Sequence, residues 1–371
     1  MSAYRTETCI LKNTQNVKAE WCELQLSADY SYFQSWGWIE TWLDLIALEL
    51  QPVVIRTWCG HILVGIGLFV SKDIKRRAIF HARTMHLNEF PFDCSNMITE
   101  YNGLLIAKSH EQEVYTEVIN HLLRKYKTCD EFYFGAVLEQ TASFVMEKIF
   151  DEKVNFLINE TSVTRSVNLL ALQPGIENYL SSLSRNRRGQ IRRAIRLYDS
   201  ENSLRLEQAK NVDEALQFLD GLKLLHTEYW QSKDKGGSFA NVLWEKFHRH
   251  LIQKNFEAGE IQLLKISCHQ GEIAYIYSFI LNKHVYVVQT GFVQSKDKRL
   301  MPGYVAHAMA ITYNCEQGMH TYDLMHGDVL YKRILCNCSS KLQWLVVQRP
   351  RLKFAVEKIA VSLVRRFKKT C

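Results

Sequence analysis

Six arginines fall within the twelve positions from Arg185 to Arg196, directly after Ser184. The segment reads as an amphipathic helix, because Leu180, Leu183, Ile191, Ala194, Ile195 and Tyr198 recur at helical spacing. At about 100° per residue, Arg185, Arg188, Arg192 and Arg196 share a second face. Arg187 projects near the middle of the apolar stripe instead. A guanidinium there is costly unless an anion meets it. Two readings follow. One is a solvated face with Arg187 paired to an internal carboxylate. The other is an anion-binding helix at a ligand site that uses Arg187 and Arg188.

Three further groups could carry chemistry. Leu225-His226-Thr227-Glu228-Tyr229-Trp230 puts His226 and Trp230 on one helical face. His226 titrates near neutrality and could act as general base or substrate ligand, or be a core histidine stacked on Trp230. Glu228 is a rival base on another face. In Tyr322-Asp323-Leu324-Met325-His326-Gly327-Asp328-Val329-Leu330-Tyr331-Lys332, Asp323 at a strand end and Lys332 after a turn can converge on one pocket. Lys332 would meet a phosphate or carboxylate there, or form a structural ion pair with Asp323. Leu300-Met301-Pro302-Gly303-Tyr304 opens a helix: Pro302 presets its first turn and Gly303 lets a ligand approach. Free amides at such a start bind phosphate, although Pro-Gly is also an ordinary cap.

The elements that must hold these residues come in two similar runs. The first half reads as a strand at 8–12, a Trp-rich helix at 33–50, and a hairpin of 52–57 with 62–71. A strand at 100–106, a helix at 111–127, a strand at 131–137 and a helix at 140–150 follow. After the arginine helix, the second half reads as a short strand at 204–206, helices at 213–230 and 240–254, and a hairpin of 261–268 with 272–281. A strand at 285–291, a helix at 302–317, strands at 321–324 and 341–347, and a helix at 351–368 complete it. Helix, hairpin, strand, helix, strand thus occurs twice. The order implies an α+β fold, an α/β sandwich with a mixed, mostly antiparallel sheet in each of two domains. We set these domains at 1–163 and 164–371, with the join near 159–166. Only the second copy carries Pro-Gly after its central strand; the first has Ala107-Lys108-Ser109-His110-Glu111-Gln112.

Composition narrows the class. A chain of 371 residues, 47% hydrophobic and 23% charged, can build two cores. The net charge of +7 is concentrated in the arginine helix and in the tail, where eight cations from Arg349 to Lys369 face only Glu357. Such patches suit phosphates, acidic sugars, RNA or anionic lipid. Ten cysteines without a C-x-x-C offer no zinc motif, and the start lacks a signal-peptide core. These features imply a soluble, reduced, cytoplasmic protein without a metal.

The arginine helix, the Leu-His followed by Trp, and the aromatic-Asp, Gly and Tyr-Lys signature appear in this order over roughly 165–335. In this they resemble the tandem-domain GNAT acetyltransferase-like proteins of cellulose and exopolysaccharide biosynthesis, which are related to Fem-type aminoacyltransferases. The resemblance implies two tandem GNAT-like domains, the first degenerate, the second binding acyl-CoA at Leu300 to Tyr304. It implies direct attack of an amine on the thioester. His226, Glu228, Asp323 and Lys332 would be the catalytic candidates, and Arg187, Arg188, Trp230 and Tyr331 would contact substrate. The acceptor would be an amine on a sugar, a lipid-linked sugar or a polysaccharide precursor. His326 and Leu335 depart from the family pattern, which leaves substrate identity open. Two alternatives stand: an aminoacyltransferase using aminoacyl-tRNA, and a non-catalytic binding partner in polysaccharide synthesis. The basic terminal helix reads as a solvated cover, with peripheral membrane contact as its other use.

Overall fold

The computed structural model describes residues 3–45, 50–76, 80–89, 98–148, 154–233 and 235–357. The chain divides into two units, 1–161 with 342–371, and 162–341.

In the first unit, β1 (Tyr4–Ile10), β2 (Val53–Cys59), β3 (Ile62–Arg76), β4 (Phe80–Leu87), β6 (Glu131–Leu138) and β13 (Cys338–Gln348) lie side by side in that order. β5 (Leu105–Ile106) pairs with β3. All pairings are antiparallel except β4 with β6. Helices α1 (Thr14–Gln25), α2 (Trp36–Leu45), α3 (Glu111–Lys125) and α4 (Glu139–Lys148) flank the strands. Trp21 of α1 and Trp36, Trp38 and Trp42 of α2 are all buried.

In the second unit the order is β7 (Asn155–Asn168), β12 (Thr321–His326), β11 (His284–Phe292), β10 (Gly271–Leu281), β9 (Ile261–Cys268) and β8 (Arg205–Gln208). Only β11 and β12 run parallel. β10 shows why two helical layers are needed. Its Ala274 and Ile276 join the core beneath α9 (Pro302–Glu316), which α5 (Ile176–Ser181) and α6 (Arg185–Tyr198) also cover. Alternate side chains point the other way. Tyr275 meets Phe218 of α7 (Val212–Gln231), and Tyr277 meets His248 of α8 (Val242–Asn255). Asn211 caps α7 by accepting from the Glu214 amide at 2.9 Å, and Asn241 caps α8 by accepting from the Leu243 amide at 3.0 Å. The β10–β11 hairpin turns on Asn282 and Lys283, both left-handed, as a two-residue turn requires.

The mixed, mostly antiparallel α/β architecture matches expectation, but several elements differ. β4, β7 and α10 (Leu330–Leu335) carry no clean apolar period and lie outside the expected elements, as does α1, although its Val17, Trp21 and Leu24 do recur at helical spacing. The strand expected at 100–106 shrinks to β5, because Asn102 uses its side chain on the Leu87 carbonyl and the Gly103 amide. The helix expected over 33–50 is α2, with residues 46–49 outside the described ones. β7 runs without a break through residues 159–166, where the two units divide after Thr161. The last strand was assigned to the second domain, yet its residues from Leu342 to Gln348 pair with β6 of the first. Most of the terminal basic helix, from residue 358 onward, lies outside the described residues.

Candidate functional site

In the second unit, β11 and β12 pair only over His284–Thr321, Val285–Tyr322 and Tyr286–Asp323. Beyond these three positions the ladder ends, while β11 continues to Phe292. A gap between parallel strands is the natural ligand position in such a sheet, because the helix after the first strand starts above it. β11 also carries an irregularity: Tyr277 faces Gln289 while Ser278 faces Val287, so Val288 has no partner in the β10 ladder. A bulge of this kind leaves a main-chain amide outside the ladder and reverses the side-chain phase. After it, Gln289 and Gly291 face α7 and α8, and Phe292 faces α9. Gln289 donates to the Ser238 hydroxyl at 2.9 Å. At Gly291 a Cβ would stand 2.6 Å from the Leu222 carbonyl oxygen, so this close approach of helix to strand needs glycine.

One side of the gap is built by α9. Met301 is its N-cap, left-handed at φ 44°, and offers no side-chain cap; Pro302 follows in the first turn. At Gly303 a Cβ would meet nothing closer than the Phe292 ring at 3.4 Å. Leu300, Met301 and Tyr304 are half-buried against the core. The half-buried Arg187 guanidinium of α6 lies 5.3 Å from the centroid of the Tyr304 ring. No ion pair among the described residues includes Arg187, so the internal carboxylate considered for it is not what holds it. Arg188 points elsewhere and donates to the Ser181 carbonyl at 3.3 Å. Arg192 pairs with Glu177 at the surface.

The opposite wall comes from α7. His226 is 5% exposed and its Nδ1 has no hydrogen-bond partner among the described residues. Its ring packs edge-on to Phe239 at 5.3 Å and against Trp230 at 6.0 Å. Gly237, at φ +64°, closes over both rings, where a Cβ would stand 2.4 Å from His226. Burial holds the imidazole down to about 4, so it is neutral at neutral pH. Glu228 is exposed and does not share the buried environment of His226.

Asp323 and Lys332 are both buried. Asp323 accepts from the Met325 amide at 2.7 Å and faces His284 Nε2 at 3.3 Å. Lys332 Nζ donates to the carbonyls of Met325, at 3.2 Å, and His326. Both side chains therefore grip the same turn, whose Met325 (φ 64°) and Gly327 (φ 104°) are left-handed. These contacts order the exit from β12. Tyr331, in α10, stacks parallel to the buried His307 of α9 at 5.8 Å, and burial raises its hydroxyl to about 12.

Sequence reasoning singled out neither His307 nor Gln289. A histidine inside an apolar helix and a glutamine in a strand carry no local signal; only the bulge and the strand gap give them meaning. Among the described residues no group of three or more histidines, cysteines or acids could hold a metal. No helix among them is long and apolar enough to cross a membrane.

Residues 185–333 match the family described as acetyltransferase (GNAT) domain. No curated protein matches the chain by sequence. Among solved structures, FemX superposes with a TM-score of 0.56 at 10% identity, over 91% of this chain and 96% of that one. The C-terminal domain of a putative lysylphosphatidylglycerol synthetase from Agrobacterium fabrum gives 0.53 at 9% identity, over 95% and 97%. A conserved protein of unknown function from Bacteroides thetaiotaomicron also gives 0.53 at 9% identity, over 89% and 97%. At these identities the likeness is one of fold. Residues 185–333 of the second unit are thus similar in sequence to a GNAT domain, within a chain whose fold these structures share.

Proposed function

We propose that the protein is an N-acyltransferase that moves an acyl group, acetyl first among them, from acyl-CoA to an amine on a sugar or exopolysaccharide precursor. The observation that carries this reading is the uncapped start of α9 beside the parting of β11 and β12, with Arg187 held over Tyr304. Amides at a helix start and an unpaired guanidinium are what a pyrophosphate needs. The residues Leu300 to Tyr304 would hold the donor, whose bound thioester supplies the acyl group.

The chain's own groups then have definite tasks. A main-chain amide at the β11 bulge would stabilise charge on the thioester oxygen. The amine attacks the carbonyl carbon, a C–N bond forms, the C–S bond breaks, and the amine loses a proton while the thiolate takes one up. His226, kept neutral, serves better as a hydrogen-bonding partner of the acceptor than as a strong base. Trp230 offers a flat apolar face on which a sugar can stack. Tyr331 stands beside the strand gap as a substrate contact. Asp323 and Lys332 contribute by holding the turn after β12.

Calorimetry with acetyl-CoA tests the reading. The full-length protein should bind it once per chain, and Gly303→Trp should abolish binding in a folded protein. Unchanged binding in that variant would remove α9 from the donor site.

A second reading, an aminoacyltransferase supplied by aminoacyl-tRNA, has one observation in its favour. Of the six arginines of α6, only Arg192 has an ion-pair partner among the described residues. Binding of tRNA that weakens steeply with salt, without binding of acetyl-CoA, would select it. If neither ligand binds, a non-catalytic partner in polysaccharide synthesis becomes the better account. The basic tail would serve a peripheral membrane contact in any of these roles.

A further inference from the structure

His307 is 1% exposed and sits in α9 one turn after Gly303, so the two share a helical face. Three elements box its ring: Tyr322 of β12 at Nδ1, Phe292 at the end of β11 edge-on at 5.7 Å, and Tyr331 of α10 in parallel. These are the elements that meet where β11 and β12 part, and Phe292 is also the nearest side chain to Gly303. Nδ1 lies 3.1 Å from the Tyr322 hydroxyl, whereas Nε2 is buried without a partner among the described residues.

The hydrogen of the Nδ1–Tyr322 bond can be assigned by counting what each choice leaves buried and unmade. If Nδ1 donates, the Tyr322 hydroxyl proton has no acceptor and Nε2 has no donor. If the hydroxyl donates, only the Nε2 proton is left over. A buried polar group without a partner costs about 1–3 kcal/mol, so the second arrangement is favoured. His307 therefore holds an N–H at Nε2, on the side of the ring away from β12. Burial, with the Lys332 charge nearby, lowers its pKa to about 3 and keeps it neutral. Phe292 stands edge-on to the ring and Tyr331 stacks on its face, and both are side chains that can turn.

We propose that His307 Nε2–H is a positioning donor for a carbonyl oxygen in the amide-bearing arm of the acyl donor, where that arm passes between β11 and β12. The proposal rests on the acyl-CoA reading above and names a residue which that reading does not use. A neutral N–H suits a neutral acceptor such as an amide or thioester carbonyl. It would distinguish an arm carrying such carbonyls from a plain alkyl chain.

The experiment uses full-length protein labelled with 15N-histidine and three variants, His307→Phe, His307→Gln and Tyr322→Phe. Ligands are acetyl-CoA and adenosine 3′,5′-bisphosphate, which lacks the arm. In the wild type, acetyl-CoA should shift the His307 Nε2 resonance and the bisphosphate should leave it in place. His307→Phe should weaken acetyl-CoA about ten-fold, the loss of roughly one hydrogen bond, with bisphosphate affinity unchanged. His307→Gln, which retains an N–H, should recover part of that loss. Tyr322→Phe frees the tautomer and should weaken acetyl-CoA by a smaller factor. Should His307→Phe fail to fold, the labelled wild type and His307→Gln decide the matter. An Nε2 resonance that ignores bound acetyl-CoA, or equal weakening of both ligands, overturns the proposal and assigns His307 to the core, with a buried water on Nε2. Failure of acetyl-CoA to bind wild type at all overturns the donor reading itself, and this inference with it.

Discussion

His226, His248 and His307 are held at about 4, about 3 and about 3 by burial, well below the usual value of 6.5 for histidine. The unfolded chain takes up their protons near pH 6.5, the folded chain only near pH 4 or below. Between these limits the unfolded state binds more protons, so stability is full above pH 6.5 and falls as the pH drops. Each histidine should contribute a slope of up to about 1.4 kcal/mol per pH unit in that window. Urea unfolding at pH 5 and pH 7 checks this. Replacing any one of the three by Gln should reduce the proton uptake on unfolding by close to one at pH 5, and unchanged uptake would contradict the assignment. Arg187 and Arg192 form a second contrast. Arg192→Ala removes an exposed pair and should leave the melting temperature and donor affinity nearly unchanged. Arg187→Ala removes the cation over Tyr304 and should weaken acetyl-CoA about ten-fold, even at high salt, because a less hydrated contact is screened less. Equal, small, salt-sensitive effects at both positions would make α6 an ordinary solvated face.

At the scale of elements, two glycines separate packing from binding. Gly291→Ala pushes a Cβ into the Leu222 main chain of α7, which cannot swing aside. It should destabilise the protein by about 1–3 kcal/mol and displace the helix that carries His226. Gly303→Ala meets only ordinary contact with Phe292 and should leave the melting temperature nearly unchanged while weakening acetyl-CoA. Thermal melts and calorimetry on the pair distinguish the roles, and a collapse of Gly303→Ala would refute them. The same scale explains what could be read from the sequence. Amphipathic α3, α7 and α8, the β9–β10 hairpin and the Pro302 helix start all announce themselves through period, cap or turn residue. The arginine helix does as well, including the inward lean of Arg187. β7 does not, since NFLINETSVTRSVN mixes polar and apolar residues without a clean period, whereas Val17, Trp21 and Leu24 of α1 do recur at helical spacing and could have been read. The joint task of Asp323 and Lys332 on the Met325 turn was hidden for another reason. It depends on two left-handed residues that are not both glycine. Nor could a sequence reveal the Val288 bulge, because a bulge is a mismatch between two strands rather than a property of one.

At the scale of the whole molecule, the closing strand governs stability. Residues Leu342–Gln348 of β13 pair with β6, whose Phe132 and Phe134 are fully buried. Gln348 donates to the buried Glu131 carboxylate at 2.6 Å, and Arg76 reaches the same carboxylate at 2.6 Å. Arg349 donates to the carbonyls of Leu123, Tyr126 and Cys129, satisfying the end of α3 and the turn after it. A chain ending at residue 341 should therefore lose the first unit before the second. Limited proteolysis should cut it within residues 1–161 while 162–341 stays protected. Cleavage confined to 162–341 would show that the strand is dispensable.

That strand also sets a timetable. During synthesis the first 161 residues emerge early but lack the strand that borders β6, while the 180 residues of 162–341 are translated and folded. At roughly 5–20 residues per second this wait lasts on the order of ten seconds or more. Throughout it, the nascent first half presents the open edge of β6 to whatever else is in solution, a pairing template until residues 342–348 emerge. Ribosome-bound intermediates should bind a synthetic peptide of residues 342–357, and the finished protein should refuse it. The second unit, by contrast, can close before the first. The half of the molecule made first is thus the half completed last.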